Sequence, residues 1–430
     1  MSIMKFISEE LKERFENTIK YVGEKHEIYI EGFEYKNGSF DLEETDADDI
    51  TIIDETYELS IYLDESESEC QISVNNFIDL IEESKNAKII DNYKCLSQKR
   101  ILIKIEGITY DDTMFLESLL NNPIYKIPSI ESNIDGNKVT CSIISGVTIF
   151  GIVTNFNQNY SSIYPSVFDT DKFIEIYFHN NQLTNTQIDT IFNAFLFELS
   201  ATLGINVQVD YRYDISQNVN ECDGWEYPPS RIRPLIYGEG IDELLELFND
   251  ANRHTENYNY SIIQYTKIIE YVSQTVINED ITEKAMKKLS SSKSLQPDAN
   301  FIKELENLFV DNKDTYSKDK NAIKITLEKC CDFDEVFDLA PKYLKKVDSY
   351  KNNITNPKFN IEDGRKKAFE ELCEAVSNTR NALSHAKANY TTKGNECPDK
   401  YKEEYMRMIR LIAIQVIRWY SNLSETNRIN

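Results

Sequence analysis

The sequence predicts two architectures in one chain, an α+β N-terminal region followed by an all-α helical bundle. Three observations carry the division. Runs rich in β-branched and aromatic residues recur before residue 218 and largely disappear after 240. Between them, NVNECDGWEYPPSRIRPLIYGEG (218–240) holds three prolines and three glycines without a helical period, the mark of a junction. Beyond it, apolar residues recur at spacings of three and four. The expected boundaries are 1–217 for the α+β region, as one module or two small ones, 218–240 for the linker and 241–430 for the helical domain. A chain of 430 residues is too long for one typical core, which agrees with two or three domains.

Residues 7–22 read as a short amphipathic helix. Strands are expected at 27–35, 57–64, 101–108, 139–144, 173–179 and 205–213, where β-branched or aromatic residues partly alternate with polar ones. Helices interrupt them near 76–84, 112–120 and 186–202, the last ending on Gly204 as a C-cap. The uncharged stretch Val139–Phe168 is dense in Thr, Ser, Asn and Tyr and broken by Ser145-Gly146, so it suits buried strands rather than a spanning helix. After the junction, helices are expected at 241–252, 260–277, 300–310, 361–383 and 400–423, with 290–300 a loop that caps the helix after it.

No apolar leader opens the chain, and the eight cysteines form no Cys-x-x-Cys pair. With only four histidines, a Cys/His zinc cluster is not expected, and the cysteines read as reduced, mostly buried thiols of a cytoplasmic protein with no membrane span. Asp46, Asp48 and Asp49 lack the glycine and the terminal glutamate of a calcium loop. No phosphate-cradling glycine motif appears, so an ATPase is not expected, and with the readings above neither a metal nor another cofactor is expected.

The net charge of −26 is unevenly spread. Residues 1–240 carry 18 Lys+Arg against 42 Asp+Glu, 241–340 carry 12 against 20, and 341–430 carry 17 against 11. A polyanion therefore has one natural home, the C-terminal quarter, because lysine and arginine neutralisation drives most nucleic-acid affinity. Residues 41–69 hold 13 acidic residues and no basic one, a solvated acidic loop or a surface for a basic partner.

One segment can carry chemistry, TRNALSHAK (379–387). Arg380 offers a fixed planar cation, and His385 the side chain that titrates near neutrality. Cleavage of RNA by its own 2′-hydroxyl needs such groups: proton removal from the 2′-OH, proton delivery to the 5′-oxygen and charge stabilisation at the phosphate, with no metal. On a straight helix the two side chains would point about 140° apart, so they converge only if the helix ends there or a second subunit completes the site. On the last helix Lys400, Arg407, Arg410 and Arg418 fall on one side, opposite Tyr405, Met408, Ile409, Ile412, Val416 and Tyr420. That basic side reads as a solvated face or as a stripe guiding RNA, with Lys387 adding to it. Leu411 and Ile414, on the same side, are candidate contacts with a partner subunit.

The RNALSH motif, late in a helical domain and followed by a long amphipathic helix, resembles the HEPN superfamily, whose mark is Arg-x4-6-His, often with a polar residue after the Arg. YSIIQYTKIIEYVSQ (260–274) looks like the first core helix of its Apea-like and abortive-infection branches. The resemblance covers about 241–425, and residues 1–240 take no part in it. It implies a homodimer with paired motifs facing each other, acting as a metal-independent endoribonuclease in phage defence, abortive infection or a toxin system. Arg380 would then hold the scissile phosphate, His385 act as general acid or base, and Asn381 orient one of them or the RNA. Ser384 is a further polar candidate, and Glu270 a polar helper from the first core helix. The acidic N-terminal part would be a sensor, regulator or docking module for a protein or ligand trigger. Some members of the family are non-catalytic and bind RNA, a nucleotide or a partner, and that alternative stays open.

Overall fold

The computed structural model describes residues 3–25, 28–36, 39–42, 50–63, 69–90, 93–121, 129–134, 136–156, 171–178, 183–210, 233–238, 240–316, 319–356, 358–384 and 393–428. They divide into two compact units, Met1–Leu235 and Ile236–Asn430. Most of the sequence-derived linker, with Trp225, lies outside the described residues, as do Asp46, Asp48, Asp49, His26 and His179.

The first unit opens with β1 (Ile3–Phe6), α1 (Glu9–Lys25), β2 (Ile28–Ile30), β3 (Phe33–Lys36), β4 (Ser39–Leu42), β5 (Ile50–Ile53), β6 (Glu58–Leu63), β7 (Glu69–Ser73) and α2 (Val74–Ser84). It continues through β8 (Lys88–Ile90), β9 (Lys94–Leu96), β10 (Arg100–Gly107), α3 (Tyr110–Asn121), β11 (Ile130–Ile134), β12 (Asn137–Ser145) and α4 (Ile149–Phe156). It closes with β13 (Lys172–Phe178), α5 (Asn185–Glu198) and β14 (Val207–Val209). Strands β4-β3-β2-β6-β7 form one antiparallel sheet, and β1 pairs with β5 in parallel. A larger antiparallel sheet runs β11-β12-β13-β10-β9-β8, with β14 also on β10.

Strand β10 is buried on both faces from Ile101 to Ile105, which is why its sequence reads as a near-continuous apolar run and why it sits centrally. Leu11, Phe15, Ile19 and Val22 recur at helical spacing on α1 and pack with α2, α4 and the strands into one core. Helix α5 begins with a capping box between Thr184 and Gln187, and Gly204 follows its end at φ 73°, in the left-handed region that glycine adopts without cost. Within the described part of Val139–Phe168 the expectation of strands holds to Ser145, and residues 157–168 lie outside the described residues. Residues 149–156 are helical, and because they are buried on nearly every side they lack the one-sided period that reveals a helix.

The second unit is helical: α6 (Asp242–Arg253), α7 (Tyr258–Leu289), α8 (Ala299–Tyr316), α9 (Asp319–Cys330), α10 (Phe333–Asp338), α11 (Lys345–Asn353), α12 (Ile361–Ser384) and α13 (Lys402–Ser421). Helix α7 is its hub, packed against α6, α9, α12 and α13. The side of α13 expected to be apolar is buried at Tyr405, Met408, Ile409, Ile412, Val416 and Tyr420. Ile414, expected to await a partner, is instead buried at 4% exposure inside its own unit, because α13 is packed on more than one side. Asp298 caps α8 by accepting the Phe301 amide at 2.7 Å, as the loop sequence suggested. At the start of α11, the buried Glu371 carboxylate of α12 accepts the amides of Lys346 and Val347 at 2.7 and 3.1 Å, fixing the two helices together. Among the described residues no helix is long and apolar enough to cross a membrane.

Candidate functional site

The site grows from the two-sided pattern of α12. Leu372, Cys373, Ala375, Val376 and Thr379 face the core, whereas Glu374, Asn378 and Asn381, four and three residues apart, share the opposite face. Core contacts fix the helix at its C-terminal end. The Thr379 hydroxyl accepts the Cys397 amide at 2.9 Å, and the Tyr405 hydroxyl donates to the Ala375 carbonyl at 3.3 Å. Residues 380–384 continue in helical geometry. His385 and Lys387 lie outside the described residues.

Arg380 projects from a different side of α12, between this polar face and the core, toward α7, where Glu270 follows the buried Ile268 and Ile269. Its Nη2 donates to Glu270 Oε2 at 3.0 Å, and its Nε lies 2.6 Å from Oε1 as a close charge contact outside hydrogen-bond geometry, an ion pair between residues 110 positions apart. Its Nη1 donates to Asn381 Oδ1 at 3.0 Å. A guanidinium only donates, so the Asn381 carbonyl must face it, which turns the amide group away as a donor. A charge-assisted hydrogen bond from a guanidinium to a carboxylate is stronger and more directional than a neutral one. Arg380 and Glu270 remain 25% and 29% exposed, so the pair is reachable from solvent.

Asn381 also lines a cleft of about 420 Å³ with Lys320, Glu374, Ser377, Asn378 and Lys393. Lys320 Nζ is 2.7 Å from Glu374 Oε1, and this hydrogen bond holds the Glu374 carboxyl below its usual range. Glu374 Oε2 accepts from Asn395 at 3.1 Å, and Asn378 donates to the Gly394 carbonyl at 2.7 Å. Gly394 and Asn395 both have positive φ, 92° and 62°, the backbone of a tight turn that brings Lys393 over the cleft. Of these residues the sequence singled out Asn381 alone. The spacing of 374, 378 and 381 was the available signal for its neighbours on α12, and none existed for Lys320 or Lys393.

The expected basic stripe is distributed differently. Lys400 is exposed in a single turn at Asp399–Tyr401, over the Tyr401 ring at 4.7 Å. Arg407 is exposed and pairs with Glu403 at 2.5 Å. Arg410 turns to α6, donating to Asn252 Oδ1 at 3.3 Å and stacking 5.6 Å from the Phe248 ring, and Arg418 is half-buried in the last turn. Ser384 is exposed at the end of α12, and His254 caps α6 beside Asp250. Among the described residues no cluster of three His, Cys, Asp or Glu is arranged to hold a metal ion. Compared with family models, with curated proteins and with solved structures, the chain matches none.

Proposed function

We propose that the helical unit is a HEPN-type, metal-independent endoribonuclease, acting as a homodimer in phage defence, abortive infection or a toxin system. The observation that supports this best is the ion pair between Glu270 and Arg380, which with Asn381 presets a guanidinium in the segment that continues to His385. Arg380 neutralises charge that grows on the phosphate as the 2′-oxygen attacks it. His385 carries the proton, from the 2′-hydroxyl or to the departing 5′-oxygen. Glu270 keeps the guanidinium plane fixed, so orientation is set before substrate arrives. One motif holds a single histidine, whereas a turnover needs a base and an acid, and a two-fold axis through the helical unit supplies the second. The acidic first unit is the regulatory or trigger-binding part, carrying little surface for RNA.

The same ion pair favours a second reading, a non-catalytic RNA-, nucleotide- or partner-binding module in which Glu270 neutralises Arg380 permanently. Expression of the wild type beside His385→Ala separates the two. Catalysis predicts that wild type arrests growth and fragments total RNA and that the variant does neither, whereas equal behaviour of both removes the histidine from the function.

A further inference from the structure

The cleft beside Asn381 has the chemistry of an anion seat. Its charged lining is two lysines, Lys320 and Lys393, against one carboxylate, Glu374. That carboxylate is already engaged by Lys320 and Asn395, so its acceptor capacity is turned toward the protein. Lys393 has its backbone fixed from both sides: its amide donates to Glu396 at 2.5 Å, and the next carbonyl accepts from Asn378. Among the described residues its ammonium group has no ion-pair partner. Asn381 joins the cleft to the arginine, since its carbonyl is held by Arg380 and its amide is left to donate.

We propose that this cleft seats a backbone phosphate of an RNA chain, one step along from the phosphate at Arg380, with Lys393 and the Asn381 amide as its donors and Lys320 as a balancing charge. The assignment rests on the RNA reading of Arg380 and extends it to a second phosphate, so that the chain is held at two points and its register is fixed. Glu374 serves here as a positioning residue that orders the turn carrying Lys393 and offsets the charge of Lys320.

The test uses the full chain and a fluorescein-labelled 2′-O-methyl oligoribonucleotide, which lacks the attacking hydroxyl and so reports binding without cleavage. Anisotropy titrations over a range of salt should show Lys393→Ala weakening binding by about 3- to 10-fold and flattening the salt dependence by about 0.7 in log–log slope, the loss of one phosphate contact on a single strand. Glu374→Gln should act in the opposite direction, tightening binding severalfold, because it releases Lys320 without adding a donor at Lys393. A lost fold cannot produce that gain. If wild type binds and both variants match it in affinity and slope, the cleft is not the seat, and the reading of Arg380 stands. If wild type binds no oligonucleotide, both are overturned. Binding with the expected variant effects, but without cleavage of unmodified RNA, keeps the cleft and removes catalysis alone.

Discussion

Each unit holds an arginine paired with a carboxylate from a distant part of the chain, and the surroundings of the two pairs differ in charge. In the first unit Arg100 meets Glu83 through Nε and Nη2 at 3.1 and 3.0 Å and Glu175 through Nη1 at 2.7 Å, joining α2 to β10 and β13. Burial pulls this guanidinium down, and the two carboxylates outweigh it and hold it above its usual value. The adjoining cleft of about 290 Å³ adds Asp79 and Glu82, so its lining has three carboxylates against Lys99 and Arg100. Arg380 instead shares its guanidinium between a carboxylate and an amide, beside a cleft in which lysines outnumber carboxylates. The first arrangement braces strands and repels a polyanion. The second, on the proposed reading, presents a fixed cation to a polyanion. An arginine–carboxylate pair can thus serve as a brace or, as proposed for Arg380, as a site, according to what surrounds it.

The largest effect on this contrast should come from Glu83→Ala, which leaves the Arg100 brace unbalanced and also removes the hydrogen bond from Ser97. A loss of about 3 kcal/mol in urea unfolding is expected for breaking such a partly buried network. A loss below about 1 kcal/mol would place the pair with ordinary surface bridges. Next, Arg380→Lys retains charge and discards the planar fork, so RNA cleavage should fall by about 100-fold with little change in stability. Wild-type cleavage by that variant would reduce Arg380 to a second brace.

The smallest effect concerns Glu374. Lys320 depresses its folded-state pKa, so its stabilising contribution is present above the ordinary carboxylate pKa of about 4.3 and is lost as pH falls through the lowered value. With both partners solvent-accessible, the contribution should be a few tenths of a kcal/mol. Unfolding of wild type and Glu374→Gln, compared from pH 3 to 7, should therefore differ slightly at neutral pH and converge in acid. A gap that widens on acidification would contradict the assignment.

Local pattern revealed the helices whose burial is one-sided and the strands long enough to show alternation or a continuous apolar run. The strand runs at 57–64, 101–108 and 173–179 became β6, β10 and β13, and the periodic stretch at 361–383 became α12. Where the environment departs from those cases, pattern failed. Helix α4 is buried nearly all round, and β8 and β9, at three residues each, are too short to show alternation. The polar extension of α7 beyond Ile277 and the short α11 lack a broad apolar stripe. At the site, Arg380 and Asn381 were legible because their order is a motif, and Glu270 because it lies on a recognisable helix. The Arg380–Glu270 ion pair depends on folding across 110 residues, and Lys393 on a turn built by Gly394 and Asn395, neither of which spacing encodes.

The central claim is that this chain cuts RNA by acid–base chemistry at its Arg-x4-His motif. It is tested most directly by incubating purified full-length wild type and His385→Ala with a defined RNA in excess EDTA and determining the product ends. The account predicts that wild type cleaves and leaves 2′,3′-cyclic phosphates, and that the variant leaves the RNA intact. Cleavage abolished by EDTA and restored by magnesium, or cleavage by His385→Ala at the wild-type rate, would contradict it.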